Sequence, residues 1–489
     1  MGPLTKRLII SAALGAMLAG PVQAADPVFS TARVSGHIKV LSSDAFEGRG
    51  PATPGEVKSV AYIIRQFKAA GLKPGGDKTP HGRAWTQDVP LVRFAISGPA
   101  TVSVTAAGRA ESWTQGEEIA IRAAQTGATQ VSIKDAPLVF VGYGVAAPER
   151  GWDDFKGVDL HGKVALVLIN DPDYETAVGD FGGRAMTYYG RWTYKYEEAA
   201  RRGALGLIVI HETGPASYGW NTVKNSNVKT IFDIVREDPA GSHVPVEAWV
   251  QRDTAVALFR KAGLDFEALK AQARGRDFRP TALTGVTFST DFAVKADKVV
   301  SRNVVALLPG ATRPNERVIY TAHWDHLGVG LPDARGDRIY NGAQDNAAGT
   351  SELIELARAF VKAPRTARTV VFLSVTAEEQ GLLGSEYYAT APLYPLATTV
   401  ADINMDGGAF SGPARDVSTS GEAALTLQDD LVAVAKAHGR YYSPDPEPGA
   451  GKFFRSDHFS FAKQGVPAIS FKSGRDLVKA TVWATPKLK

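Results

Sequence analysis

The chain has 489 residues, 55 Lys and Arg against 51 Asp and Glu, a formal net charge of +4 and no cysteine. At one domain per roughly 100–200 residues, this length predicts two or three domains. The apolar fraction of 44% and charged fraction of 22% exclude disorder, collagen and a membrane bundle as descriptions of the whole chain. Without cysteine there is no disulfide scaffold and no thiolate site. The weak charge and the lack of a basic run argue against a nucleic-acid partner.

The first 24 residues have the pattern of a secretory signal peptide. Lys6 and Arg7 precede an apolar run from Leu8 to Leu18, and small residues surround the expected cleavage after Ala24. The run is well short of the roughly 20 apolar residues that span a bilayer. We therefore expect a periplasmic or secreted protein without a membrane anchor after cleavage.

The rest of the chain divides into three stretches. Residues 25–135 begin with two helical patterns, around residues 38–41 and 57–68, which a Gly- and Pro-containing loop separates. Residues 136–285 contain short β-like runs and one helical segment, Tyr196–Arg202. This middle stretch is predicted to be a separate mixed β/α module without a cluster of ionisable residues.

Residues 286–489 alternate apolar strands with helical segments. The helical segment Ser351–Val361 carries its apolar side chains on one face. Strands alternating with helices predict an α/β fold with a mostly parallel, helix-covered sheet. The predicted strands are Asn303–Leu308, Val318–Thr321, Thr369–Val375, Val400–Asn404 and Pro467–Phe471.

Ionisable residues follow three of these strands. In open α/β sheets, ligands bind outside the carboxyl ends of the strands. A further acidic residue lies in a Gly-containing loop between the first two of the three. We therefore expect one shared site, built from His323, Asp325, Asp345, Glu378, Glu379 and Asp406.

The spacing of these residues suits a metal site. Residues two apart in an extended segment face the same way, so Asp325 can hold the second ring nitrogen of a metal-bound His323. The adjacent Glu378 and Glu379 point in different directions, so one can bind metal while the other stays free. Clustered carboxylates with an imidazole suit Zn, with Mn or Co as substitutes. Two metals about 3.5–4 Å apart would explain the number of acids.

These segments resemble, in order and spacing, the di-zinc aminopeptidases of peptidase family 28, such as the bacterial leucyl aminopeptidases and aminopeptidase Y-like enzymes. Residues 25–135 and 286–489 would then form the peptidase domain, and Leu41–Gly55 resembles the segment that leads into it. Residues 136–285 would be an inserted protease-associated domain. The segments that resemble this domain are Gly142-Tyr143-Gly144, Gly162-Lys163 and Gly203-Ala204 with the apolar run after it. The segments that carry the resemblance to the catalytic domain are His323-Trp324-Asp325, Asp345-Asn346, Glu378-Glu379 and Met405-Asp406.

The resemblance implies a pair of zinc ions bridged by Asp345. His323 and Asp406 would complete one site, and Glu379 would bind the other ion.

The resemblance also implies the catalytic roles. Glu378 would be the general base that activates water, and Asp325 would orient His323. The expected activity is hydrolysis of N-terminal residues from peptide substrates.

Three alternatives remain at this point. A carboxypeptidase or another amidohydrolase could use the same scaffold. A zinc-dependent cyclase for N-terminal Gln uses a similar fold, but Glu378, Glu379 and the full acid set suit two metals rather than one. A non-catalytic binding protein would need neither glutamate.

Other segments near the site have simpler interpretations. His326 is predicted to be structural, because it would face away from the partner of His323. Gly328-Val329-Gly330 is predicted to be a loop. Ser456-Asp457-His458 lacks the Gly-x-Ser-x-Gly elbow of a serine hydrolase, so this segment is predicted to lie at the edge of the site.

The C-terminal segment departs from the family pattern. Members of the family have a second His ligand downstream of the Ser-Asp-His segment, whereas the chain from Phe471 to Lys489 contains no histidine. We therefore expect a C-terminus that is truncated relative to the family. The second metal site would lack one imidazole, and it would bind weakly or borrow His458, with Asp457 beside it.

Overall fold

The structure is a computed structural model that describes residues 29–408, 412–421 and 425–478. The predicted signal peptide and residues 479–489 of the C-terminal segment lie outside the described residues. Among the described residues, no helix combines the length and the apolar character needed to cross a membrane.

The described residues form a mixed α/β structure. Strands of three or more residues are β1 (Thr86–Ala106), β2 (Arg109–Ser112), β3 (Ile119–Ile121), β4 (Gln130–Phe140), β5 (Val164–Leu168), β6 (Gly206–His211), β7 (Ile231–Ile234), β8 (Val246–Gln251), β9 (Thr281–Leu308), β10 (Arg313–His323), β11 (Arg368–Val375), β12 (Thr399–Asn404), β13 (Asp416–Thr419) and β14 (Ala468–Ser473). Two-residue strands are Lys73–Pro74, Lys78–Thr79, Gly82–Arg83, Ala146–Ala147, Trp152–Asp153, Gly328–Val329, Ile339–Tyr340 and Tyr441–Tyr442.

Helices begin the described chain and form many of the connections between strands. The α-helices are α1 (Thr31–Leu41), α2 (Pro54–Ala70), α3 (Trp192–Arg201), α4 (Thr213–Ala216), α5 (Trp220–Asn227), α6 (Pro239–Ser242), α7 (Arg252–Lys261), α8 (Phe266–Gln272), α9 (Ala348–Lys362), α10 (Leu383–Thr390), α11 (Thr426–Ala437) and α12 (His458–Lys463). Short helical turns are Asp44–Arg49, Pro148–Arg150, Tyr188–Gly190, Ala343–Ala347, Glu378–Gln380, Leu396–Thr398, Pro448–Ala450 and Lys452–Arg455.

One 16-stranded sheet runs through the described structure. Its central path is Tyr441–Tyr442, β13, β14, β12, β10, β11, β9, β4, β5, β6, β8 and β3. Strands β14, β12, β10 and β11 form one parallel block, and β4, β5, β6 and β8 form a second. We call residues 313–473 the C-terminal block and residues 119–251 the middle block. Along the central path, seven of the eleven strand pairs are parallel, so this path is mostly parallel, as the sequence predicts.

Strand β9 joins the two blocks. It is 28 residues long, and its first half runs antiparallel to β4 while Val304–Leu308 run antiparallel to β11. Strand β1 pairs along it from Ala106 opposite Val286 to Thr86 opposite Val304. The two blocks are therefore parts of one continuous sheet.

The elements predicted within residues 286–489 lie where the periodicity places them. Ser351–Val361 lies inside α9, and its apolar face packs with α2 and the sheet in a core that includes Phe67, Leu353 and Phe372. Helix α2 ends at Gly71, whose φ of 92° is in the left-handed region that glycine adopts without strain. The five predicted strands lie in β9, β10, β11, β12 and β14.

The core of the middle region starts earlier in the chain than the predicted boundary. Residue 136 lies within β4, and the core that contains Phe140 and Val250 also contains Phe94, Val104 and Ile121. The reason is strand pairing, because β1 and β3 pair with β9 and β8, which lie far along the chain.

Candidate metal centre

The order in which the chain adds strands to the sheet reverses at strand β10. It is parallel to β11 on one side and to β12 on the other. The chain passes through α9 to β11 and then through α10 to β12, so the strand order reverses at β10. Ligands of open α/β sheets bind in the crevice that such a reversal leaves at the carboxyl ends of the strands. β10 ends at His323, β11 at Val375 and β12 at Asn404, which places the residues that follow them around this crevice.

The first group of candidate ligands is His323, Asp345 and Asp406, whose ligand atoms all lie within 4.8 Å of one another. The Nε2 atom of His323 is 3.2 Å from Oδ1 of Asp345 and 3.6 Å from Oδ1 of Asp406. Burial opposes a charged imidazole, but the surrounding carboxylates, Glu378 foremost, raise the pKa of His323 well above its usual value. The carboxylates thus favour a positive charge at this position.

A second group shares Asp345 with the first. Its other members are His326 and Glu379, and Nδ1 of His326 is 2.5 Å from Oε1 of Glu379. The sequence predicts that His326 faces away from the partner of His323 and is structural, whereas its ring contacts Glu379 within this second group. Strand β10 ends at His323, so the alternation of an extended segment no longer determines where the residue three positions later points.

Asp325 contacts both the Glu378–Gln380 turn and His323. Its side chain is fully buried, and it accepts hydrogen bonds from the backbone N–H groups of Glu378, at 3.1 Å, and Glu379, at 3.3 Å. Nδ1 of His323 lies 3.2 Å from the backbone carbonyl of Asp325 and 3.6 Å from its carboxylate. The carboxylate therefore holds the Glu378–Gln380 turn, and the nearer contact of the imidazole is to the carbonyl.

Glu378 belongs to neither group of candidate ligands in the described part of the chain. The residue is partly exposed, but burial of its carboxyl and the charges of Asp406, Asp457 and Glu379 raise its pKa well above the usual value, against the effect of His323. Glu378 thus has a carboxyl free of the ligand groups and suited to exchanging a proton.

Two polar residues to which the sequence assigned no role of their own, Asn346 and Ser456, fix the loops of the site. Oδ1 of Asn346 accepts from the N–H groups of Gly349, at 2.8 Å, and Gly407, at 3.1 Å, which ties the loop of Asp345 to the loop of Asp406. The Ser456 hydroxyl donates to Oδ2 of Asp406 at 2.5 Å. Such residues carry no pattern of their own in the sequence, because their roles depend on loops that meet only in the fold.

Arg49 also reaches the site from a distant segment. The residue is fully buried, and its guanidinium donates to the carbonyls of Trp324 and Leu41, each at 2.8 Å, and of Asn341 and Gly342, each at 2.7 Å. Burial lowers the pKa of Arg49 to about 10, while the charges of nearby acids of the site oppose this shift. One cation thus ties the strand end at Trp324 to the loop that leads to Asp345.

His458 and Asp457 lie at the edge of the site, in neither ligand group of the described residues. His458 is fully buried, neither of its ring nitrogens has a hydrogen-bond partner among the described residues, and burial lowers its pKa to about 4. Burial raises the pKa of Asp457 to about 7. The structure therefore brings His326, rather than His458, next to Glu379.

The donor atoms fit a metal. Each group offers one imidazole and two carboxylates, counting the shared Asp345 in both, and these are ligand types of zinc. Nε2 of His323 is buried and has no hydrogen-bond partner in the described structure. A buried polar atom without a partner costs about 1–3 kcal/mol, and a cation at this position would remove that cost.

Comparisons with known proteins agree with this geometry. Residues 303–487 match peptidase family M28. The chain is 25% identical to leucine aminopeptidase 2 of Arthroderma otae over 289 residues, which are 57% of the chain and 53% of that protein. It is 36% identical to a probable zinc metalloprotease of Pyricularia oryzae over 110 residues, or 22% of the chain and 20% of that protein. The chain thus spans about half and about a fifth of these two relatives.

Among solved structures, the aminopeptidase from Aneurinibacillus sp. strain AM-1 has a TM-score of 0.52 and 21% identity, over 92% of this chain and 86% of that one. At this identity the likeness shows the fold, which agrees with the helix-covered and mostly parallel sheet. The similarity to peptidase family M28 is thus confined to residues 303–487, which are 185 of the 489 residues of the chain.

Proposed function

We propose that this protein is an exported zinc aminopeptidase that removes N-terminal residues from peptides. The observation that carries the proposal is the pair of ligand groups that share Asp345, with the carboxyl of Glu378 beside them and outside both. The family match and the names of the relatives support it. Export is inferred from the signal-peptide pattern that ends at Ala24.

His323, Asp345 and Asp406 would hold one zinc ion, and Asp345 and Glu379 would contribute to the second. When bound, zinc supplies a Lewis acid that lowers the pKa of a water molecule and polarises the scissile carbonyl. Asp325 keeps the turn of Glu378 and Glu379 in place through two backbone hydrogen bonds.

Glu378 would move the proton. As a carboxylate outside both ligand groups, it can take a proton from the attacking water and deliver it to the leaving amine. A positioned acid–base group contributes about 10²–10⁴-fold to the rate.

The middle block would limit substrate length. Strand β7 lies beside the Glu378–Gln380 turn, and Arg236 forms a 3.0 Å ion pair with Glu386 on α10. The ring of Tyr188 lies 4.9 Å from that of Phe459 on α12. The middle block thus packs against elements around the site and would leave little room for a long chain on both sides of the cleaved bond. This arrangement favours an exopeptidase over an endopeptidase.

A panel of aminoacyl and N-blocked chromogenic substrates tests the proposal. We expect cleavage of substrates with a free N-terminal amine, loss of cleavage with a chelator and recovery with zinc. Cleavage of N-blocked substrates at similar rates would favour a carboxypeptidase or another amidohydrolase. Ring closure of N-terminal Gln without hydrolysis would favour a cyclase, and metal binding without turnover would favour a non-catalytic protein.

A further inference from the structure

We propose that His326 is the imidazole ligand of the second metal ion, the one that Asp345 and Glu379 hold. This inference rests on the proposed function, because it assigns a residue to the same metal centre. It replaces the expectation that the second site lacks an imidazole or borrows His458.

The contacts of His326 place its ring beside the two carboxylates with which it could bind a cation. Its ring nitrogen lies 2.5 Å from the carboxylate of Glu379, and both side chains are mostly buried, at 13% and 18% exposure. Asp345 completes the group within 4.8 Å. With His326 included, both metal positions have the same composition, one imidazole and two carboxylates, of which Asp345 is shared.

The backbone is shaped to let the His326 ring approach the loop of Asp345. Gly342 has a φ of 56°, in the left-handed region, and a Cβ atom there would lie 2.5 Å from Cγ of His326 and 2.4 Å from the carbonyl oxygen of Asp345. The N–H of His326 donates to the carbonyl of Arg49 at 3.2 Å. A side chain at residue 342 would separate the ring from the loop, so the glycine is required for this contact.

The other histidines do not compete for this position. The chain contains nine histidines, and in the described structure only His323 and His326 fall in a group of three candidate ligands. His458 is fully buried, with its ring 4.8 Å from that of Phe453 in an edge-to-face contact. His326 is thus the histidine placed to serve the second ion.

A role limited to holding Glu379 by a hydrogen bond is the competing explanation, and counting metal-bound imidazoles separates the two. In the full chain loaded with Co²⁺, each coordinated imidazole gives a strongly shifted, exchangeable N–H signal in the proton NMR spectrum. We expect two such signals in the wild-type protein, one in His326→Ala and two in His458→Ala. A single signal in the wild type would overturn the proposal without the use of any variant.

Zinc retention gives an independent readout. After dialysis we expect two ions per chain in the wild type and in His458→Ala, and one in His326→Ala. The dissociation constant of the second ion should rise more than about 100-fold in His326→Ala, beyond the 10–100-fold typical of residues that only orient a ligand. His326→Asn serves as a second variant if the alanine protein does not fold, with the same loss expected.

The outcomes separate this inference from the proposed function. A wild-type protein that binds no zinc and cleaves no aminoacyl substrate would contradict the proposed function. A wild-type protein that binds two zinc ions and cleaves such substrates, with two ions and two imidazole signals retained in His326→Ala, would contradict only the assignment of His326.

Discussion

The middle block and the C-terminal block are each built on four parallel strands of the same sheet, but the hydrogen bonding of their histidine rings differs. In the middle block, His243 lies between Asp233, at 3.0 Å, and Glu247, at 2.9 Å, so both ring nitrogens have partners. In the C-terminal block, Nε2 of the buried His323 has no hydrogen-bond partner among the described residues. A satisfied buried charge network stabilises a fold, whereas orphaned donor atoms in a crevice indicate a missing ligand.

The comparison shows that a cluster of histidine and carboxylates is not by itself evidence of a metal site. The sequence pattern predicts no ionisable cluster in the middle stretch, but the fold brings Asp233, His243 and Glu247 together, with Arg236 also bonded to Asp233. Among the described residues, these three do not form a metal-binding group. Their charges are paired with one another, so the cluster needs no ion.

The largest expected effect is the loss of kcat when the carboxyl of Glu378, in the C-terminal block, is removed. Glu378→Gln should keep the fold and the bound zinc but reduce kcat by about 10²–10⁴-fold or more, because the amide cannot accept the proton. Steady-state kinetics together with metal analysis measure both properties. Turnover near the wild-type rate with unchanged zinc content would show that Glu378 is not the base.

Removal of metal should destabilise the C-terminal block and leave the middle block unchanged. At a ligand concentration of about 1,000 times Kd, binding stabilises the native state by about 4 kcal/mol, and this contribution disappears with a chelator. Hydrogen exchange should then speed up in the segments around His323 and Asp406, while β5 and β6 remain unchanged. Equally faster hydrogen exchange in both blocks would contradict the conclusion that the C-terminal block holds the metal and the middle block does not.

The pH dependence of stability should come from the middle block. Burial opposes a charged His243, but its hydrogen bonds to Asp233 and Glu247 raise its pKa from 6.5 to about 9. The folded-state pKa is the higher one, so this stabilisation is fully present below pH 6.5 and is lost as the pH rises through about 9. The loss should be about 3 kcal/mol, the equivalent of that shift.

Hydrogen exchange of β7 and β8 between pH 6 and pH 9.5 measures this loss after correction for the intrinsic exchange rate. The control is His243→Gln, which keeps hydrogen-bonding groups but cannot titrate, and its protection should vary less with pH. A steep pH dependence that persists in the glutamine variant would assign the effect to another group.

The smallest expected effect tests the link between the N-terminal segment and the site. Arg49→Lys keeps the charge but cannot reach four carbonyls with one planar fork. Zinc affinity should fall about 10–100-fold, as for other residues that hold ligands in place, with little change in the exchange of the middle block. Arg33→Lys on α1, which pairs with Glu355, is the matched control and should retain wild-type affinity.

The sequence by itself determined four strands and one helix of the C-terminal block and several of the residues around its crevice. Apolar periodicity identified β10, β11, β12 and α9. Because the carboxyl ends of parallel strands meet at one edge of a sheet, residues just after those ends could be placed together. His323 and Asp406, which are 83 positions apart, were placed together on this basis, and Asp345 was added because its loop lies between two of these strands.

Only the tertiary structure decided how distant segments complete and support the site. Arg49 and Gly342 act through contacts with loops far along the chain, and the position of His326 depends on where β10 ends. The early start of the middle core follows from the pairing of β1 with β9. Periodicity reports which face of a local element is buried, whereas these features depend on which loops and strand edges meet, and that is set by packing between residues hundreds of positions apart.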